Sequence, residues 1–407
     1  MKPMAMNLEL EEAIARILDG VTGVGTEEIL LEEAYGRVLA EDVFSRMTHP
    51  PFERSPLDGY AYWTEALSAG PVKLRVVSEV PAGTWPERVL KPGEAARIFT
   101  GAPLPQGANC VVRQEDTQVD GEMVWVERPV LPGANVVPHG DEVKEGDMLV
   151  QGGERLTPPA VGLLAAMGIA KVKVFRKPRV GLFSTGSELM DVGEPLAPGK
   201  IYNSNSYTLR GLIQEAGCEA VSLPLVPDRL AETVRALQVL EDVDVVITTG
   251  GASVGDYDLM PQALQEHGCE ILFWKIQMKP GTPACVGKKD GRLYFALSGN
   301  PAAAMVTFEL LVRPALRKYA GLNHPESERF LVKMAGAFAK SGKQRRFLRA
   351  RISLRDGVVW ADPGAAQGSG ILKSMIGRHL LVDVPGGHGA VSEGETLEAY
   401  WIGEWEE

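Results

Sequence analysis

Apolar residues near the start of the chain, Leu10, Ile14, Ile17 and Leu18, recur at helical spacing and predict an amphipathic helix. The stretch EEILLEEAYGRVLAEDV over 27–43 predicts a second helix running into a strand. The period then changes to short alternating runs, KLRVV at 73–77 and MVWVE at 123–127, within a segment from Pro50 to Pro159 that holds 14 of the 28 prolines. Short strands closed by frequent turn residues predict a β-rich insertion there. Thr157 and Pro158 then read as N-cap and first residue of a helix that Gly168 ends.

From about Lys177 the pattern becomes buried strands alternating with amphipathic helices, which predicts a doubly wound α/β domain with helices on both faces of a parallel sheet. Its strands are predicted at 179–184, 219–226, 243–249, 270–276 and 292–297. Leu209, Leu212, Ile213 and Ala216 form one helical stripe closed by Gly217, and Leu230, Val234, Leu237 and Leu240 form another. Past Gly321 short strands return at 347–354 and 379–387, so a small terminal β domain is expected. The resulting division is a split helical N-terminal part (1–45 with 141–177), a β insertion (46–140), the α/β domain (178–321) and the C-terminal β domain (322–407).

Composition sharpens this picture in three ways. Glycine and proline make up about 18% of the 407 residues, well short of the roughly 25–30% that marks low complexity, so the chain is turn-rich but folded. The net charge of −11 argues against a nucleic-acid or anionic-lipid surface, and an anionic ligand would need a local basic site. Cys110, Cys218, Cys269 and Cys285 lie far apart, and neither a zinc motif nor a disulfide framework is indicated. No apolar run approaches a membrane span, and the first residues lack a basic segment followed by an apolar one, so a cytoplasmic protein is expected.

In open α/β sheets ligands bind beyond the carboxyl ends of the strands, and here those ends carry small and charged residues. They are Ser184-Thr185-Gly186-Ser187-Glu188, Val226-Pro227-Asp228, and Gly250-Gly251-Ala252-Ser253 running on to Asp256 and Asp258. Ser298-Gly299-Asn300-Pro301 ends another strand and opens an apolar helix, with Asn300 as N-cap and Pro301 at the first position, a favourable place for an anion. Lys275 and Lys279 precede Gly281 on the same rim. Carboxylates at Glu188, Asp228, Asp256 and Asp258 beside anion-binding loops suit Mg²⁺, although Asp228 and Asp256 also read as plain turn or cap residues. No Ser-His-Asp or Cys-His arrangement can be assembled, so covalent catalysis has no support, and a metal-assisted reaction at a phosphate fits better.

The chain resembles the MoeA family of molybdopterin molybdenumtransferases, whose architecture is shared by the E domain of gephyrin. The resemblance rests on ordered motifs: Ser55-Pro56-Leu57-Asp58-Gly59-Tyr60-Ala61, Ile98-Phe99-Thr100-Gly101-Ala102-Pro103, Gly140-Asp141, Ser184 to Leu189, Asn203-Ser204-Asn205, Val226-Pro227-Asp228, Thr249 to Gly255, Lys279-Pro280-Gly281 and Ser298 to Pro301. It implies insertion of molybdenum from molybdate into adenylylated molybdopterin with loss of AMP, assisted by Mg²⁺. The α/β domain would be a MoaB/Mog-like molybdopterin-binding domain, the last domain a small barrel-like β domain, and the split N-terminal part a dimerisation region.

Carried onto this sequence, Glu188, Asp228 and Asp258 would hold the metal, with Asp58, Thr100 and Asp141 contributed by the other subunit of a homodimer. Thr185, Gly186, Ser187, Gly250, Gly251, Ser253, Lys275, Lys279, Gly281, Ser298, Gly299, Asn300, Pro301, Arg346, Arg349 and Ser369 would contact the anionic ligands. A transient partner would be the molybdopterin adenylyltransferase. Ser298 and Thr282 depart from the family, which often has Pro and Lys there. Adenylyl transfer to molybdopterin, CinA-type nucleotide pyrophosphate cleavage and a gephyrin-like scaffold are the alternatives.

Overall fold

Strands whose side chains are buried on both faces need helices on both sides, and the segment from Arg179 meets that demand. The computed structural model describes residues 6–65, 70–251, 259–340 and 342–402. These divide into two compact units, one made of Met1–Glu41, Gly152–Thr157 and Lys171–Glu407, the other of Asp42–Gln151 and Pro158–Ala170.

In the first unit a seven-stranded sheet has the order Met6–Leu8, Glu270–Ile276, Cys285–Lys289, Arg292–Leu297, Val245–Thr249, Arg179–Ser184, Glu219–Ser222. Alternate residues of each central strand enter opposite cores. Val180, Leu182, Val245, Ile247, Leu293 and Phe295 pack with helices Ser204–Glu215 and Leu10–Gly20, whereas Phe183, Val246, Tyr294 and Ala296 pack with Leu230–Val239 and Met260–Glu266. Of the helices predicted here, the Leu209 stripe lies in Ser204–Glu215, and Gly217 follows it with φ +77°.

Three expectations change. Cys285–Lys289 inserts antiparallel between Glu270–Ile276 and Arg292–Leu297, so the sheet is mixed, not wholly parallel. The two-residue link Asp290-Gly291, with both residues at positive φ, makes a hairpin there. Residues 27–43 form no α-helix, only a single 3-10 turn at Leu31–Glu33: Thr26–Leu30 pairs antiparallel with Lys171–Phe175, and the buried Val172 and Val174 outweigh the helical reading of a largely exposed acidic run. The chain start also leaves the split N-terminal part assigned to it. Met6–Leu8 adds a parallel strand beside Glu270–Ile276, and Leu10, Ala13 and Ile17 bury one face of their helix in the α/β core.

The last part of the same unit closes a five-stranded barrel. Arg345–Arg355 pairs with Val358–Asp362 on one side and Leu380–Val384 on the other, and Arg329–Met334 and Thr396–Trp401 complete the circuit. Phe347, Leu381 and Tyr400 join the α/β core, so barrel and sheet share apolar packing. The second unit is built on a six-stranded sheet in the order Cys110–Arg113, Gly59–Tyr62, Glu94–Ile98, Val72–Val80, Met123–Val126, Thr117–Asp120, with an apolar cluster on each face.

One buried charge pair braces the α/β unit. Arg313, only 2% exposed, donates from Nε to Glu309 at 2.6 Å and from Nη2 to Glu215 at 2.8 Å, tying the final helix to Ser204–Glu215. Removing one buried partner leaves an uncompensated charge. Glu309→Ala is therefore expected to lower unfolding free energy by about 3 kcal/mol, with the Glu309→Leu, Arg313→Met double variant recovering most of the loss. Urea denaturation followed by circular dichroism measures both.

Candidate functional site

Chain direction places the first part of the site. After Arg179–Ser184 the chain goes to one neighbouring strand, Glu219–Ser222, and then returns to the other side as Val245–Thr249, so strand order reverses at Arg179–Ser184. A crevice opens beyond the carboxyl ends of strands at such a reversal. Ser184 and Thr249 share a hydrogen bond between hydroxyls at 2.9 Å, and the Thr185 amide donates to the Thr249 carbonyl at 2.8 Å. Thr185 also bridges Val226, which holds the Val226-Pro227-Asp228 turn against the same strand end.

Glycine is required where the two loops touch. Gly250 has φ +92°, and a Cβ there would stand 2.0 Å from the Thr185 carbonyl oxygen. At Gly251 a Cβ would lie 3.6 Å from Thr185 Oγ1 and 3.9 Å from Asp228 Oδ1, so these atoms surround one small space. Thr185 Oγ1 is buried with no hydrogen-bond partner among the described residues. Glu188 folds back over Gly186, its Oε2 2.8 Å from where a Cβ would be. Burial, and then the nearby Glu188 charge, raise the Asp228 carboxyl above its ordinary range. Two carboxylates repelling one another beside an unpartnered hydroxyl are a donor set that suits a hard divalent cation. Ser253, Asp256 and Asp258 lie outside the described residues, and among the described residues no cluster of three metal-ligating side chains occurs.

The second part is cationic. Met278–Lys279 pairs in parallel with the barrel strand, Met278 opposite Arg345 and Lys279 opposite Arg346. A cavity of about 790 Å³ opens beside this pairing, lined by Lys279, Gly281, Ser298, Asn300, Arg346, Arg349 and Ser369 among others. Lys340, Lys343 and Gln367, which sequence reasoning missed, line it too, and among the described residues none that lines it is acidic. Arg346 donates to the backbone carbonyls of Lys340 and His388, and Arg349 to the Gly368 carbonyl and the Ser374 hydroxyl, so among the described residues neither guanidinium has a carboxylate partner. Burial, with help from Arg378, pushes the Arg349 guanidinium down to about 10. Arg345, the neighbour pointing elsewhere, is neutralised by Asp383 at 2.5 Å and Glu11 at 2.8 Å.

Between the acids and the cations stands the Ser298 to Pro301 turn. Gly299 approaches Gly250 closely enough that its Cβ would be 3.7 Å from the Gly250 Cα, and the Asn205 amide holds the Gly299 carbonyl at 2.9 Å. Asn300 occupies the N-cap and Pro301 the first helical position, but the Asn300 side chain makes no capping bond. One first-turn donor, the Ala303 amide, is taken by the Ser369 carbonyl at 3.2 Å. Lys275 has φ +72° and places its ammonium 4.7 Å above the Trp274 ring, and it is not among the residues lining the cavity. Ser187 is exposed, its carbonyl accepting from Lys200.

Asp58, Thr100 and Asp141 belong to the second unit. The Thr100 amide and hydroxyl each donate to Asp58 Oδ1 at 2.8 Å, which holds that carboxyl below its usual range. Asp141 is exposed in a turn whose amide donates to the Pro138 carbonyl at 3.3 Å.

Residues 8–168 match the family described as MoeA N-terminal region (domain I and II), 181–318 the probable molybdopterin binding domain, and 332–402 the MoeA C-terminal region (domain IV). A protein of Bacillus subtilis named molybdopterin molybdenumtransferase is 35% identical over 98% of this chain and 94% of its own length. A Staphylococcus aureus protein of the same name is 33% identical over 96% and 94%. Among solved structures, the molybdopterin biosynthesis moeA protein of Pyrococcus horikoshii is 31% identical, with a TM-score of 0.84 over 97% of this chain and all of that one.

The Asp228 shift has a consequence for stability. A carboxyl whose folded-state pKa is raised binds its proton more tightly in the folded form, so its contribution is full at low pH and falls as pH rises through the folded value. Without divalent cations, Asp228→Asn is expected to melt higher than the parent near neutral pH. The difference should vanish below the ordinary carboxylate range, and thermal melts across that range would show it.

Proposed function

Because the chain belongs to the MoeA family of molybdopterin molybdenumtransferases and so acts in molybdenum cofactor biosynthesis, we propose that it inserts molybdenum from molybdate into adenylylated molybdopterin with release of AMP. The observation that carries this reading is the cavity itself, where Lys279, Arg346 and Arg349 converge with no neutralising carboxylate among the described residues. A cationic pocket with fixed N–H donors suits a compact dianion such as molybdate. The small space at Thr185, Gly250 and Gly251 lets a phosphate approach backbone, and Gly299 links it to the cationic cavity.

Glu188 and Asp228, with Asp258 proposed alongside them, would hold Mg²⁺. Bound there, the ion would offset the repulsion between the two carboxylates and polarise a phosphate oxygen at the AMP linkage. The chain's own residues then orient the reactants. Lys279 and the arginines bind the oxyanion, while the glycines at the strand ends keep side chains out of the phosphate path. Asp58, Thr100 and Asp141 are proposed to act from a second copy of the chain in a homodimer. The Thr100 clamp keeps Asp58 ionised and aimed in one direction.

Adenylyl transfer and CinA-type cleavage are weaker readings, because the match spans the N-terminal and C-terminal regions as well as the molybdopterin-binding segment, and a scaffold is weaker because the full-length relatives are named as transferases. Among the described residues no helix is long and apolar enough to cross a membrane. We place the reaction in the cytoplasm, where an adenylyltransferase would hand over the substrate.

Purified protein given adenylylated molybdopterin, molybdate and Mg²⁺ is expected to release AMP in a molybdate-dependent way. AMP release unaffected by molybdate would remove the insertion reading. Lys279→Ala should weaken molybdate binding most at low ionic strength, since salt screens the missing charge on an exposed side chain. Magnesium should raise the melting temperature of the parent and leave that of Asp228→Asn unmoved.

A further inference from the structure

Arg349 lies where its strand loses a neighbour. Arg345–Arg355 pairs with Val358–Asp362 from Arg355 opposite Val358 as far as Arg351 opposite Asp362, and then Pro363 turns the chain away. The backbone N–H and C=O of Arg349 on that side therefore have no strand to meet, and leaving them unpaired in a buried position would be unfavourable. The Gln367 carboxamide takes the place of the absent strand. Its Oε1 accepts from the Arg349 amide at 3.0 Å, and its Nε2 donates to the Arg349 carbonyl at 2.9 Å and also to the Pro363 carbonyl.

The side chain of Arg349 is held by the same turn. Its Nη2 donates at 3.0 Å to the Gly368 carbonyl, next to Gln367, and at 3.0 Å to Ser374 Oγ, which in turn donates to the Ile371 carbonyl. Arg349 is fully buried, and its Nε and Nη1 have no partner among the described residues. A guanidinium fixed at one nitrogen and unpartnered at the other two, in the wall of a cavity whose described lining holds no acid, is held ready for an oxyanion.

We propose that Gln367 and Ser374 are positioning residues for oxyanion capture, Gln367 fixing the backbone of Arg349 and Ser374 its guanidinium. The proposal rests on the reading of the cavity as the molybdate subsite. Neither residue need touch the ligand, since the Gln367 carboxamide is already committed to backbone and the Ser374 hydroxyl to Arg349 and Ile371.

The test uses full-length protein and molybdate alone as the probe, by isothermal titration calorimetry, with steady-state assays beside it. Gln367→Ala is expected to weaken molybdate binding about tenfold, as the displaced Arg349 guanidinium loses one well-placed bond to the oxyanion, and to raise the KM for molybdate with kcat little changed. Gln367→Glu, which loses the donor and brings a negative charge into the cavity, should weaken it further. Ser374→Ala should also weaken binding, and Ser374→Thr, which keeps the hydroxyl, should restore it. A purely structural role would lower the melting temperature without changing the affinity of the folded protein. If the parent binds molybdate and folded Gln367→Ala and Ser374→Ala bind it equally well, the proposal is overturned and the subsite reading stands. If Gln367→Ala does not fold, the Ser374 pair decides by the same criterion. A parent protein that binds no molybdate would overturn the subsite reading and this proposal together.

Discussion

Backbone pairing of Met278–Lys279 with Arg345–Arg346 brings a lysine and an arginine side by side, an arrangement that their charges oppose. It persists because the forces that set it are not electrostatic. Phe347 and Tyr400 fasten the barrel to the α/β core, and the short parallel ladder then fixes the register. Arg345 helps by facing away to Asp383 and Glu11, which neutralises one of the cations at the junction. Apolar packing thus holds the repulsion in place, and an anion bound in the cavity would relieve it.

The strand reversal applies the same logic with the opposite sign. Glu188 and Asp228 sit at two strand ends that the sheet order makes neighbours, beside a threonine hydroxyl with no partner among the described residues. Between this acidic end and the cationic cavity, Gly250, Gly251 and Gly299 bring the strand-end backbones close together. In the proposed reaction a substrate carrying both phosphate and oxyanion chemistry would use both ends, and the glycines would let the groups approach without a side chain in the way. The excess of glycine in the composition therefore has a local meaning at these strand ends, beyond the turns of the two β regions.

Much of the fold was legible from local pattern. Arg179–Ser184, Glu270–Ile276 and Arg292–Leu297 coincide with their predicted bounds because each is a continuous apolar run with clear turn signals at its ends. The failures have a common cause. Thr26–Leu30 reads as helix by period, yet its partner strand is more than a hundred residues away, and Cys285–Lys289 is too short and too mixed in composition to stand out. The Met6–Leu8 strand and the helix after it were assigned to the wrong part of the molecule, since local amphipathicity identifies a face but not what covers it. Among site residues, Thr185, Gly250, Asp228 and Lys279 were visible as strand-end or loop chemistry. Gln367 was not, because a glutamine that replaces a missing strand has no sequence signature.

By itself the sequence determined the alternation of strands and helices, the chemical character of each strand-end loop and membership in a family, since these depend on spacing and on order along the chain. Only the tertiary structure decided which charges meet. It sent Lys275 onto the face of Trp274 and Lys279 to the side of Arg346, although the two lysines are four residues apart on one loop. It also left Arg349 buried without an acid while giving Arg345 two. The physical reason is that charge pairing depends on distance and desolvation, and both are set by long-range strand pairing and core packing that no local window of sequence contains.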